Sequence, residues 1–185
     1  MNQKIETHDP RTGALIATYP IHSPQEVQAA LTASQKAFAR WKRLPPQERA
    51  ETVRKIGAEL RRQQGVLAAL ATQEMGKSAA EAEAEIKKCA DCADYYASKG
   101  LAHLAPREVP TEAARSFVAF EPIGTVLAVM PWNFPYWQVF RCLLPSLLAG
   151  NTMVLKHASN VSGCALLIES LVAKAAGIEG LLRTL

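Results

Sequence analysis

Apolar positions change their period near Gly100. Before it they recur every three or four residues, and after it they come in short unbroken runs. That shift from a helical to a strand rhythm organises the chain. At the start, "IETHDPRTGALIATYPIHSP" sets short β-prone runs either side of Asp9-Pro10-Arg11-Thr12-Gly13 and predicts a hairpin. Ser23, Pro24 and Glu26 have the spacing of a capping box with proline in the first turn. Val27, Leu31, Phe38 and Trp41 then follow as one buried stripe. "LPPQER" restarts the chain, and Ala50, Val53, Ile56, Gly57 and Leu60 mark a second helix. A third is predicted over about 66–75, stopping at Gly76, and a fourth over about 79–101. In the fourth, Glu83 precedes Lys87 by four residues, the favourable order for a surface pair.

Beyond Gly100, "REVP" and "ARSFVAFEP" predict a short ribbon. "IGTVLAVM" is a continuous run rich in β-branched residues, the pattern of a strand buried on both faces. A helix over about 134–149 follows, then a second buried strand, "TMVLK", and a helix over about 162–176 closed by Gly177. "EGLLRTL" has the character of a third strand beginning. The order β-α-β-α defines an α/β class with a parallel sheet and crossover helices. The expected divisions are 1–106 for the hairpin and helices, 107–122 for the ribbon, and 123–185 for an incomplete Rossmann-like portion. Two strands and a stub do not close a domain. The expectation is a truncated chain with an open sheet edge, an uncovered apolar face and poor solubility.

Composition narrows the classes. The 185 residues are 49% hydrophobic, enough for a real core, with a net charge of +4. The basic residues are scattered and mostly alternate with glutamates on helices, so no nucleic-acid partner is expected. The first ten residues carry no apolar leader, and the run 139–150 contains Arg141 and Pro145 and is too short to span a bilayer. A cytoplasmic protein with no membrane partner is expected. Cys89 and Cys92 form a CxxC inside a helical segment, with no second pair and no histidine cluster. They read as free thiols rather than as a zinc or redox site.

In open parallel sheets, ligands bind at the carboxyl ends of the strands. Asn133 follows the first such strand and Lys156 ends the second. No GxGxxG follows the first strand, so a dinucleotide's pyrophosphate would be held elsewhere. Asn133 sits between Trp132 and Phe134, with Pro131 and Pro135 outside them. It is either a helix N-cap or a fixed amide donor for a developing oxyanion. Arg141 shares a helix face with Trp137 and Gln138. Either that face reaches solvent, or the guanidinium meets a substrate carboxylate. Lys156 either faces water or reaches a ribose, with His157 and Ser159 beside it.

"EPIGTVLAVMPWNFP", followed by "LLAGNTMVLKHASN", resembles the N-terminal part of the aldehyde dehydrogenase superfamily. "QEMGKS" is similar to that family's Glu-x-Gly-Lys-Pro. The stretch from "WNFPYWQVFR" to "GCA" looks closest to bacterial succinate semialdehyde dehydrogenases. The resemblance implies the N-terminal part of that fold: a helical segment, a β-ribbon and an incomplete dinucleotide-binding sheet. It implies a small aldehyde substrate, NAD or NADP as oxidant, and a homo-oligomeric full-length protein. In the family, a cysteine thiolate attacks the aldehyde and an amide at the position of Asn133 stabilises the oxyanion. Hydride leaves to the nicotinamide, and a Glu-activated water releases the acid. Trp132, Lys156, His157, Ala158 and Ser159 match the cofactor side, and an uncharged Ser159 admits a 2′-phosphate. Arg141, with Trp137 and Gln138, matches the place of the substrate carboxylate. None of Cys89, Cys92, Cys142 or Cys164 aligns with the family nucleophile, and "GIEGLLRTL" lacks the proline usual before its glutamate. The chain alone is therefore expected to be inactive. The other reading is a non-catalytic remnant that associates with a full-length relative.

Overall fold

A computed structural model describes residues 4–185. Met1, Asn2 and Gln3, at the head of the polar N-terminus, lie outside the described residues. The turn chemistry forms the expected hairpin, with β1 (Lys4–His8) antiparallel to β2 (Leu15–Pro20). Asp9 accepts hydrogen bonds from the Arg11 backbone and side chain, which hold its carboxyl at about 2. The capping box at Ser23 and Glu26 opens α1 (Pro24–Trp41). α2 (Pro46–Arg62) and α3 (Gln64–Met75) follow, and Gly76, in the left-handed region at φ +84°, stops α3. A second capping box, Ser78 with Glu81, opens α4 (Ala79–His103).

Two helical details differ from the sequence pattern. The innermost line of α1 is Ala30, Ser34, Ala37 and Trp41, whereas Val27, Leu31 and Phe38 are half-buried flanks. Small residues win because α1 crosses the sheet closely. Ser34 Oγ lies 3.1 Å from Thr152 Oγ1, and Trp41 Nε1 donates to Leu147 O at 2.8 Å. Lys87 pairs not with Glu83 but with Asp91, at 2.8 Å. Arg61 of α2 also grips Asp91, at 3.0 Å, so that carboxylate is already fixed in place. The Gly57 position explains itself: a Cβ there would come 2.9 Å from Ala93 Cβ, so glycine lets α2 and α4 touch.

The ribbon is short, with β3 (Arg107–Glu108) antiparallel to β4 (Phe117–Val118) and Phe117, Val118 and Phe120 exposed. Next come β5 (Thr125–Met130), α5 (Trp137–Leu148), β6 (Thr152–His157), a single 3-10 turn at Ser159–Val161, α6 (Ser162–Ala176) and β7 (Leu182–Thr184). The strands pair in parallel in the order β5-β6-β7. Ala128, Met153, Leu155 and Leu182 share one face and join the core with α5 and α6. α1 covers Val154 on the other face. Burial on both faces thus holds for β6 but not for β5, where Leu127 is 64% and Val129 69% exposed. The reason is position: β5 is an edge strand that α1 only partly overlies. Among the described residues, no helix is long and apolar enough to cross a membrane. All four cysteines are free.

Candidate active-site cleft

Residues 131–136 make the bend between β5 and α5. Helix α5 begins at Trp137, three residues later than the pattern implied, and no side chain of its own segment caps it. Asn133 is therefore not its N-cap. The cap comes from α4. Glu85 Oε1 accepts the backbone N–H groups of Tyr136 and Trp137, each at 2.8 Å. A carboxylate suits this place, because the first turn of a helix leaves N–H groups unpaired and partly positive. The other Glu85 oxygen pairs with Lys77, and both side chains are almost wholly buried. Lys77 in turn sits 4.5 Å above the Phe134 ring.

The loop is held from beneath as well. His157 Nδ1 accepts the Ala158 N–H at 2.8 Å, so the ring's proton is on Nε2, which donates to Pro135 O at 2.9 Å. Burial pushes the His157 pKa below the ordinary value, more than the Pro135 contact raises it. Tyr136, fully buried, donates its hydroxyl to Leu67 O at 3.0 Å. The chain just after Asn133 is thus fixed at four points, while Asn133 itself is exposed.

Asn133 faces a cleft of about 580 Å³. Trp132, Phe134 and Trp137 line it on the same side, and Lys77, Glu85 and Lys88 line it from α4 and the turn before it. Trp137 is in the cleft, but Gln138 and Arg141 are not part of its lining. Arg141 stands exposed one turn further along α5, so its helix face reaches solvent. Glu85 and Lys88 were not singled out by sequence, and Lys77 entered only as part of "QEMGKS". A signal for Glu85 existed: it is an acid on the buried stripe of α4, between Ala82 and Cys89.

A second cleft, of about 440 Å³, lies where β6 ends. Lys156, Ser159, Ser162 and Leu166 line it, with Tyr19 and His22 from the hairpin side. Lys156 Nζ donates to His157 O at 2.9 Å, Ser159 is exposed, and Ala158 is half-buried. His157 borders this cleft, but its imidazole is engaged with Pro135 and Ala158. Trp132 belongs to the first cleft rather than to this one. The start of α6 is closed too: Glu74, 2% exposed, accepts the N–H groups of Gly163 and Cys164 at 2.9 Å each. Both crossover helices therefore begin on internal carboxylates, and neither of these two helix starts is free for a phosphate.

No cysteine lines either cleft. Burial pushes the Cys89, Cys92 and Cys164 thiols up, away from the thiolate. Among the described residues, no group of three His, Cys, Asp or Glu side chains could hold a metal ion.

This architecture, a helical layer over the start of a parallel sheet with an exposed amide at the first strand end, has close counterparts. The aldehyde dehydrogenase family model matches residues 1–185. A probable NADP(+) succinate-semialdehyde dehydrogenase of Synechocystis sp. is 46% identical over 181 residues, covering 98% of this chain and 40% of that protein. The NAD(P)+ succinate semialdehyde dehydrogenase Sad of Escherichia coli K12 is 41% identical over 170 residues, covering 92% and 37%. The crystal structure of succinic semialdehyde dehydrogenase from Streptococcus pyogenes with NADP+ superposes with a TM-score of 0.93 at 33% identity, covering 98% and 40%. The chain spans about 40% of the length of the curated relatives it matches. It belongs to the aldehyde dehydrogenase family and carries the N-terminal part of that fold.

Proposed function

We propose that this chain supplies the oxyanion-binding amide and part of the cofactor wall for NAD(P)+-dependent oxidation of a small aldehyde, succinate semialdehyde first among them. The carrying observation is Asn133: uncapping, exposed, and set on a loop held by Glu85 and His157. A donor that is already oriented stabilises developing negative charge without reorganising. The side chain is neutral, which matters because a carboxylate there would repel the oxyanion. Trp132 and Phe134 flank it and keep the loop apolar. In the overall reaction the aldehyde and water become the acid, with two electrons leaving as a hydride and one proton released. A bound nicotinamide dinucleotide supplies the hydride acceptor. The second cleft would hold its adenosine end, with Lys156 and Ser159 offering an ammonium and a hydroxyl to a ribose or its 2′-phosphate. With two helix starts occupied by Glu74 and Glu85, neither of them would hold the pyrophosphate. None of the four cysteines reaches the Asn133 cleft, so the nucleophile is not among them. The exposed aromatic ribbon is the self-association element of this reading.

A chimera tests the proposal. This chain, joined in frame to the remainder of the Synechocystis relative, should reduce NADP+ with succinate semialdehyde, whereas the 185 residues alone should not. In the chimera, Asn133→Ala should lower kcat by about a hundredfold or more. An Asn133→Ala chimera as active as its parent would refute the assignment.

A further inference from the structure

The Asn133 cleft holds four charged side chains, and three are already engaged. Lys77 and Glu85 neutralise each other. Glu81 accepts from the Ser78 backbone and hydroxyl in the α4 capping box. That leaves Lys88. Among the described residues it forms no ion pair, and its ammonium packs on an aromatic face. Its ammonium stands 4.1 Å over the Trp137 ring. Glu81 is seven residues earlier on α4, about 10 Å along the helix axis, too far to neutralise it.

A cation parked on an indole is restrained yet still solvated, because the ring satisfies none of its three N–H donors. It can exchange water for a carboxylate without first breaking a salt bridge. Lys88 and Trp137 approach from different helices, α4 and α5, so they form a wall of the cleft rather than a free surface side chain. Arg141, one turn beyond Trp137 on the same face of α5, adds a second positive charge outside that wall. The cleft thus presents an amide donor at Asn133, an indole floor at Trp137, and an unpaired ammonium at Lys88.

We propose that Lys88 is the specificity-determining cation of this cleft and selects aldehydes that carry a carboxylate at the far end. This rests on the aldehyde-oxidising reading for the identity of the reacting end. Its test does not, since binding can be read without cofactor or nucleophile.

The experiment titrates the 185-residue chain, labelled with 15N, with succinate and separately with its uncharged diamide, succinamide, following the Trp137 indole N–H resonance. Succinate should shift that resonance saturably, with weaker affinity in high salt, and succinamide should bind at least about tenfold more weakly. Lys88→Met keeps most of the aliphatic stem and removes the charge; it should weaken succinate binding by about tenfold. Lys88→Arg should restore it. Lys88 is exposed, and a circular dichroism melt of each variant verifies the fold. Equal binding of succinate and succinamide overturns the proposal. So does a Lys88→Met titration identical to that of the parent, or one in which only Arg141→Met abolishes the succinate shift. Failure of the oxidoreductase reading appears separately, as a chimera that reduces no nicotinamide, and leaves this titration to judge Lys88 by itself.

Discussion

Glu85 carries three bonds on one carboxylate: two backbone N–H groups of the next layer and the Lys77 ammonium. Glu85→Ala would leave a buried ammonium unpaired and the first turn of α5 uncapped. The expected loss is about 3–5 kcal/mol, read from urea unfolding. Because the ammonium's isolation is the main cause, Lys77→Met combined with Glu85→Gln should be milder than Glu85→Ala alone. A double mutant no more stable than Glu85→Ala would show that the pair itself matters little. His157 gives a pH signature. Its folded pKa lies below the ordinary 6.5, chiefly from burial; Glu74 and Glu85 pull it up and Lys156 pushes it down. The unfolded ring therefore takes a proton before the folded one, and stability falls as pH drops below about 6.5. Protonation would also place an N–H on Nδ1 against the Ala158 N–H. Comparing unfolding midpoints at about pH 7.5 and about pH 5.5 should show a loss that His157→Asn reduces. The stiff loop that carries Asn133 was legible from sequence, because two prolines and two aromatics surround the residue, but its spacing left an N-cap open and only the later start of α5 removed that reading. Glu85 showed only as an acid on a buried stripe; its capping role was not legible, because its partner at Tyr136 lies 51 residues away.

Helix positions and starts were largely written in the sequence, as both capping boxes formed where serine and glutamate stood three apart. Which stripe of a helix goes innermost was not. Periodicity marked the right side of α1, but Ala30, Ser34 and Ala37 displaced Val27, Leu31 and Phe38 from the closest contact. That choice depends on how near the partner comes, which only the assembled sheet decides. The same closeness governs α2 against α4. Gly57→Ala should destabilise by about 1–3 kcal/mol, since the incoming methyl meets another Cβ rather than a flexible chain end. Thermal unfolding checks it, and an unchanged midpoint would mean that the two helices separate without penalty.

Across the whole molecule, the apolar run of β5 could not tell an edge strand from a central one, since both are rich in valine and leucine. Ile123, Leu127 and Val129 lie open at 87%, 64% and 69%. Apart from the ribbon, the chain on its own should therefore also associate with rising concentration through this strand and its free edge. Val129→Lys should lower the apparent mass on size exclusion and shift the unfolding midpoint little. If Val129→Lys runs as large as the parent, the association lies elsewhere.

The loop that presents Asn133 borrows its first-turn cap from a helix that closes the other layer of the molecule. Its alignment is consequently a tertiary property, absent from any peptide that contains only residues 131–148. Local melting of α4 would misplace the amide well before the sheet came apart, so the molecule should lose its binding competence at milder denaturant than its strands. Hydrogen exchange would register this as Tyr136 and Trp137 amides opening together with the α4 backbone rather than with β5.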